Sequence, residues 1–491
     1  MTDFPLLTLL ILIPCAGILL AWLWPGAGQA RHLALAATLL DLLLGIVALG
    51  AFDPAQAGFQ FVEKTPWIPS LDVFYLVGVD GLSLLFLPAT ALLFAGVILA
   101  SWNSVHTLPR FYYSLILLLE MATLGVFCAL DTILFFLFWE LTLIPLYFLV
   151  SLWGIGANRR HAATKYVLVM LTGGVALLFA FLLVAFGGGT ETEALVFDLP
   201  TLLQQPLPKG SQYLVFLLFL VGFGVKVPLF PLHTWLPLIS MEGPDAIAAL
   251  LTGLKLGAYG LIRFAVPLAP DAAQDLHWLL AALGTISILF GASAALAQTN
   301  LRRMLGYASL SHVGLVVLGI ASFNLQGVQG AVLQLLTFVL AGGGLFLMVS
   351  QLHHRTGTTN LATLGGAARS MPLLTSFFLL FGLASMGLPG TIGFPGELLI
   401  FMASFEHHAG AGVAALAGVV IGAAAFLNLY RRTCFGPCSN PAVSLAQDLV
   451  PRERWLALAL AVLVIGLGLW PGVLLDIIRP AAEAWMARLV S

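Results

Sequence analysis

Fourteen stretches with few or no charges run through this chain, and about 20 apolar residues are what a helix needs to cross a bilayer core. They cover 4–24, 30–50, 80–101, 109–130, 132–153, 161–186, 211–238, 243–266, 274–297, 302–322, 327–352, 372–404, 409–431 and 455–477. Backbone inside hydrocarbon must satisfy its own polar groups, so repeated runs of this length imply a bundle of spanning helices. Composition agrees: 9% of residues are charged and 60% hydrophobic, against about 25% charged in a soluble domain. The expectation is an all-α integral membrane protein with fourteen transmembrane helices. Two runs, 211–238 and 372–404, are too long for one helix and contain prolines and glycines, which predicts a discontinuous helix in each.

No soluble domain interrupts the runs. The longest connections, 51–79, 187–210 and 432–454, read as short polar or proline-containing loops. The first run has an acidic flank and reads as a spanning helix, not a cleaved signal peptide. Basic residues fall mainly in the loops after odd-numbered helices, which hold thirteen of the 20 Lys and Arg. By the positive-inside bias those loops face the cytoplasm, so both termini are expected on the periplasmic side of the inner membrane. A net charge of −2 implies no nucleic-acid partner. Four cysteines, Cys15, Cys128, Cys434 and Cys438, are too few and too scattered for an iron–sulfur set. The C-x₃-C pair reads as incidental, because zinc needs two further ligands nearby.

The charges that remain inside the runs are the informative ones. Glu120, Glu140, Lys226, Lys255 and Glu397 lie within spans, with His233 and His312 beside them. A charge at the membrane centre costs about 2.5–3.5 kcal/mol on insertion scales. A single Glu140–Lys226 ion pair could lock two helices together, but that does not explain Lys255 on the next helix or Glu397 on the second broken one. Ionisable groups on separate spans at similar depth are what a proton relay requires. For His233 and His312 a hydrogen-bonded core histidine and a relay member fit the sequence equally, and Glu120 is open in the same way. Asp131 is expected at the interface, and Lys165 as a snorkelling boundary residue.

Lys226 to Glu397 is an offset of 171 residues, and Glu140 to His312 one of 172. Interrupted helices that carry a charge at the break mark transporter sites between inverted repeats. The offset divides the chain into an N-terminal three-helix segment (1–108), two five-helix units (109–266 and 274–431) and a C-terminal helix with its loop (432–491). Five is odd, so the second unit enters the membrane from the opposite side and the repeat is inverted.

The stretches "LLLEMATLGVFCALDTILFFLFWELTLIPLYFLVSLWG", "GFGVKVPLFPLHTWLP", "TGLKLGAYGLIRF", "LAQTNLRRMLGYASLSHVG" and "GLPGTIGFPGELLIF" resemble the antiporter-like subunits of respiratory complex I over nearly the whole chain. Glu397, where sister subunits have lysine, favours the M-type branch. The resemblance implies fourteen helices in two inverted five-helix units, a Glu140–Lys226 coupling pair, Lys255 as central carrier and Glu397 as outer gate. Glu120, His233 and His312 would support a hydrated path. It also implies other membrane subunits as partners, sister antiporter-like chains among them. Two departures stand out: Leu238, Ile239 and Ser240 follow "HTWLP" where the family has Asp, Ala and His, and Phe338 stands where a histidine is common.

No phosphate-cradling loop, metal cluster or nucleophile constellation is visible, so no cofactor is expected in this chain and NADH oxidation would belong to partner subunits. Weakening the Glu140–Lys226 pair would release a proton toward Lys255, and Glu397 would pass it outward. Two other classes compete: a homologous ion-transport subunit of a hydrogenase, cation/proton antiporter or inorganic-carbon uptake complex, and a membrane scaffold whose charges never titrate. Sidedness is directly testable. A single cysteine placed in loop 355–369 should react with a membrane-impermeant thiol reagent from the cytoplasmic side only, and labelling from the periplasm would reverse the orientation.

Overall fold

Leucine-, alanine- and phenylalanine-rich segments form helices wherever proline and glycine allow, and the breaks between them fix the architecture. The structure, a computed structural model, describes residues 4–56, 58–187, 195–205, 207–438 and 440–490. Its main helices are α1 (Leu6–Leu23), α2 (Ala30–Ala51), α3 (Phe86–Ala100), α4 (Pro109–Cys128), α5 (Thr132–Leu141), α6 (Leu143–Trp153) and α7 (Arg159–Gly187). They continue with α8 (Lys209–Lys226), α9 (Trp235–Glu242), α10 (Ile247–Gly253), α11 (Leu256–Gly260), α12 (His277–Leu296) and α13 (Leu301–Ala321). The last are α14 (Leu325–Thr337), α15 (Gly343–Thr356), α16 (Pro372–Ser385), α17 (Gly393–His407), α18 (Ala409–Cys434), α19 (Pro451–Leu469) and α20 (Gly472–Val490). Among the described residues, eleven helical stretches are long and apolar enough to cross a membrane, or twelve with the bent pair α19–α20.

Two sequence expectations are corrected. The 51–79 connection is not a loop: β1 (Gln60–Ile68) and β2 (Val73–Val79) pair antiparallel, so the fold is not purely α. Their β-branched and aromatic residues suit a pleated strand, and Asp72 turns the hairpin in the left-handed region at φ 55°. The run 455–477 is not one straight helix: α19 stops at Leu469 before Pro471, and α20 leaves at 68°. Asp131, just before the span that α5 opens, is fully buried in the protein. It caps α5 by accepting hydrogen bonds from the Ile133 and Leu134 amides, and a third from Phe74 of β2. Burial pushes its carboxyl up to about 6 against the pull of those amides.

Close approach of the helices rests on small residues, as expected where lipid supplies no hydrophobic drive for association. On α12 and α13, Gly284 and Gly314 face each other so tightly that a Cβ on Gly314 would stand 2.5 Å from the Gly284 carbonyl oxygen.

The same economy of space admits α20. A Cβ on Gly81 would meet the Ile477 carbonyl oxygen at 2.0 Å, and Trp485 of α20 donates its indole N–H to the Ile262 carbonyl at 2.8 Å. Beneath this contact lies a buried bidentate ion pair. Arg263 donates to both Asp80 oxygens at 2.6 and 2.5 Å and, through Nε, to the Tyr259 hydroxyl at 3.0 Å. Asp80 precedes α3, and Arg263 lies in a π-turn, Leu261–Ala265, that follows α11. The pair therefore ties the N-terminal helices to the helix that begins beside Lys255. Arg263→Met leaves a buried carboxylate uncompensated and should cost about 3–5 kcal/mol, most of it recovered in the Asp80→Leu/Arg263→Met double variant. Thermal unfolding of the purified protein measures both.

Candidate functional site

Three helices stop inside the protein, and a charge stands at or near each stop. Lys226 is the last residue of α8, which Pro228 prevents from continuing. Lys255 sits two residues past the end of α10, in a short non-helical link (φ −102°, ψ 57°) before α11. Glu397 lies in the second turn of α17, after the interruption at 386–392. Carbonyl oxygens left free at a helix C-terminus favour a cation, and free amides at an N-terminus favour an anion. Lys226 matches the sign of its helix end, whereas Lys255 stands between the C-terminus of α10 and the N-terminus of α11. The breaks near Pro228 and at 385–397 are the expected ones. The break at Lys255 is not: no proline marks it, and glycines at 253 and 257 are the only signal.

Lys226 is held by oxygens and a ring. Its ammonium donates to the Thr142 hydroxyl at 2.7 Å and the Trp139 carbonyl at 3.0 Å, and lies 3.9 Å from the Trp139 ring centroid. The expected direct pair with Glu140 is not formed, although the two charges are near enough to interact. Glu140 Oε1 is buried without a hydrogen-bond partner and rests on α7 at Gly174, where a Cβ would stand 2.2 Å away. Thr142 interrupts the α5–α6 span, and the Trp139 carbonyl one turn before it turns to the lysine.

From Lys226 a cavity of about 40 Å³ opens toward α10, lined by Thr123, Thr142, Tyr166, Leu251 and Leu254. Lys255 stands beyond it, 4% exposed, donating to the Leu251 carbonyl at 3.4 Å, with its ammonium 5.4 Å from the Phe338 ring centroid. Phe338 opens a π-turn, Phe338–Gly342, between α14 and α15. On its other side a cavity of about 50 Å³ is edged by Thr252, Ser309, His312, Gln334 and Thr337. The His312 ring lies 6.3 Å from that of Phe338, and its Nδ1 is 3.9 Å from Glu397 Oε1. That oxygen has no hydrogen-bond partner, and Glu397 Oε2 abuts Gly387, which holds φ +66°. Both cavities exceed the roughly 10–15 Å³ a water molecule needs, so packing does not close the space beside Phe338.

Five of the seven residues singled out from sequence therefore form one row: Glu140, Lys226, Lys255, His312 and Glu397. Glu120 and His233 make their contacts elsewhere. Glu120 accepts a hydrogen bond from Thr38 of α2 at 2.6 Å. His233 packs on Phe230, Phe290 and Tyr307, and its Nδ1 is buried and unpartnered. Ser240, one of the departures after "HTWLP", is buried with its hydroxyl unpartnered. Reasoning from sequence missed Asp41, fully buried one turn beyond Thr38, and Arg263. Both stand out as charges in apolar runs and could have been read there. Gln334, whose Oε1 is buried without a partner, carried no such signal because an uncharged amide is common in a helix.

Residues 129–422 match the family model described as the transmembrane part of NADH:quinone oxidoreductase and Mrp antiporter subunits. The chain is 36% identical to NADH-quinone oxidoreductase subunit M of Rhodobacter capsulatus, covering 97% of this chain and 95% of that one. It is 37% identical to NAD(P)H-quinone oxidoreductase chain 4 1 of a Nostoc species, over 96% and 89%. Among solved structures, a chain of respiratory complex I from Thermus thermophilus superimposes with a TM-score of 0.90 at 33% identity, covering 98% and 99%. A chain of the Mrp complex from a Dietzia species shares the fold, with a TM-score of 0.82 at 24% identity over 98% of this chain and 51% of that one.

The Lys226 contacts give a local test. Thr142→Val removes a hydroxyl from a buried ammonium and should cost about 1.5–3 kcal/mol, whereas Thr142→Ser should keep most of the stability. Thermal denaturation of the two variants separates the oxygen's contribution from that of packing.

Proposed function

The chain belongs to the family of membrane subunits that NADH:quinone oxidoreductases and Mrp antiporters share, and from that premise we propose that it is a proton-translocating subunit of an NADH:quinone oxidoreductase. One observation carries the reading: the row from Glu140 through Lys226, Lys255 and His312 to Glu397, spaced by two cavities large enough for water. The full-length relatives named as M or chain 4 subunits of such oxidoreductases support the choice of host. The enzyme in this reading is the whole complex. Its other subunits oxidise NADH and reduce quinone, and this chain moves protons.

Fourteen spans are part of the proposal. Phe86–Ala100, the interrupted stretch Pro372–Ser385 with Gly393–His407, and the bent C-terminal pair bring the eleven to that number. The two interruptions, after Lys226 and before Glu397, then take equivalent places in two inverted five-helix units. The subunit would sit in the inner membrane with both termini periplasmic, beside sister antiporter-like chains.

In the mechanism, Lys226 is the switch. Its ammonium is held by a hydroxyl, a carbonyl and a ring, none of them charged, while Glu140 stands off against Gly174. Closing Glu140 onto Lys226 stabilises the ammonium, and opening the pair removes that stabilisation and favours handing the proton across the smaller cavity to Lys255. From there His312 accepts the proton across the face of Phe338 and passes it to Glu397 over 3.9 Å. Moving each proton against the membrane potential needs about 2.3 kcal/mol per 100 mV, which is the scale of making or breaking one buried ion pair.

Purified complex in liposomes tests this, with ΔpH formation and NADH oxidation measured together. A positioned proton acceptor contributes about 10²–10⁴-fold to its transfer step, so Lys226→Ala, Lys255→Ala and His312→Ala should each slow ΔpH formation at least about tenfold at normal assembly. Phe338→His places a titratable ring beside Lys255 and should restore part of the loss in His312→Ala. Wild-type pumping in all three alanine variants would reduce the row to a scaffold.

A further inference from the structure

Away from the row, positive charge gathers at one place with too little negative charge to balance it. Arg31, the second residue of α2, donates to the Trp102 carbonyl at 3.0 Å and lies 4.9 Å from the Trp102 ring centroid. Arg452, the second residue of α19, lies 5.7 Å from the same centroid. Trp102 itself follows the end of α3, and His32 meets its ring edge-on at 4.8 Å. All three segments adjoin the basic loops. The cluster therefore sits on the face expected to be cytoplasmic, at the level where spans meet lipid headgroups.

The charges within reach of Arg452 are Arg31, Arg355 and one carboxylate, Glu453. That carboxylate is committed elsewhere. Its Oε2 accepts from Arg355 and from the Val450 amide, and its Oε1 is 3.8 Å from Arg452, too far for a hydrogen bond. Three guanidiniums thus face one acid. Stacking on the indole offsets part of the repulsion between Arg31 and Arg452 but satisfies no N–H. The Nε atoms of both are buried without a hydrogen-bond partner, whereas neither side chain is wholly enclosed, Arg452 being 25% exposed and Arg31 half-buried. With Nε shut off from water, each guanidinium is only partly hydrated, so an anion on its terminal nitrogens meets a weaker competitor.

The setting narrows the anion. Arginine forks match the oxygens of a phosphoryl group. No side chain caps α2, so its first amides add positive potential at the same end. Below the arginines both helices expose apolar side chains: Leu39, Leu43 and Ile46 on α2, and Leu458, Val462 and Ile465 on α19. Leu39 and Ile46 stand about 12 and 22 Å of helical rise from Arg31, the depth that acyl chains occupy beneath a headgroup.

We propose that Arg31 and Arg452, gathered on Trp102, form a binding site for a phosphoryl group, carried by an anionic phospholipid whose acyl chains lie along α2 and α19. The site stands apart from the proton row and does not depend on it.

The test reconstitutes the assembled complex with phosphatidylglycerol bearing a photoactivatable headgroup and maps the cross-linked peptides by mass spectrometry. Cross-links should fall on the segments around residues 31, 102 and 452. Arg31→Gln/Arg452→Gln should weaken them at least about tenfold, the scale of losing charge-assisted hydrogen bonds, with ΔpH formation at the wild-type rate as the check on assembly. Arg31→Lys/Arg452→Lys keeps the charge but not the fork and should retain only part of the yield. Excess unlabelled phosphatidylglycerol should compete, and inorganic phosphate should not. Displacement by inorganic phosphate would overturn the lipid and leave a site for soluble phosphate. Equal yields in the wild type and the Arg31→Gln/Arg452→Gln variant overturn the site itself. So do wild-type cross-links that miss all three segments, a result that decides the question even if the variants fail to assemble.

Discussion

An ammonium group in a hydrocarbon surround must find oxygen atoms, and a continuous helix has none to give. Every carbonyl in its interior already accepts a backbone hydrogen bond. This constraint organises the centre of the molecule. Lys226 takes the Trp139 carbonyl and the Thr142 hydroxyl where the α5–α6 span is interrupted, and Lys255 takes the Leu251 carbonyl in the last turn of α10. The breaks are the means by which cations become tolerable at a depth where each costs several kcal/mol. The same breaks leave the small cavities that separate one charge from the next.

Glycine does the complementary work for the acids. Glu140 and Glu397 each press a carboxylate oxygen onto a glycine, Gly174 and Gly387, at distances no Cβ would permit. Neither Glu140 Oε1 nor Glu397 Oε1 has a hydrogen-bond partner. A buried carboxylate that is close-packed yet under-satisfied is energetically poised to change partners. Lys226 is well supplied with neutral ligands and the acids are not, so the acids have much to gain from a proton or an approaching cation.

Around this centre the frame is clamped by the Asp80–Arg263 pair. It joins the segment entering α3 to the π-turn beyond Lys255, and α20 covers it with Trp485. A bidentate pair fixes distance and orientation together, which suits a helix whose other end must present Lys255 between Phe338 and the Leu251 carbonyl. Phe338 is no mere obstacle: its face lies toward the ammonium and its ring meets that of His312, so it positions both neighbours while offering neither of them a proton.

The sequence by itself determined the membrane class, most span positions and two of the three helix breaks. Apolar run length and proline chemistry are local properties, and hydrocarbon enforces them without regard to neighbours. It also named five residues of the row, because a charge in an apolar run is visible one residue at a time. Tertiary structure decided what depends on partners far along the chain. It set Glu140 apart from Lys226, against Gly174 of another helix. It set Glu120 against Thr38 of α2 and His233 among Phe230, Phe290 and Tyr307, contacts that their local sequence does not announce. It folded 60–79 into a hairpin against α1 and bent the C-terminus back over Asp80, where a hydropathy run alone suggested a longer span.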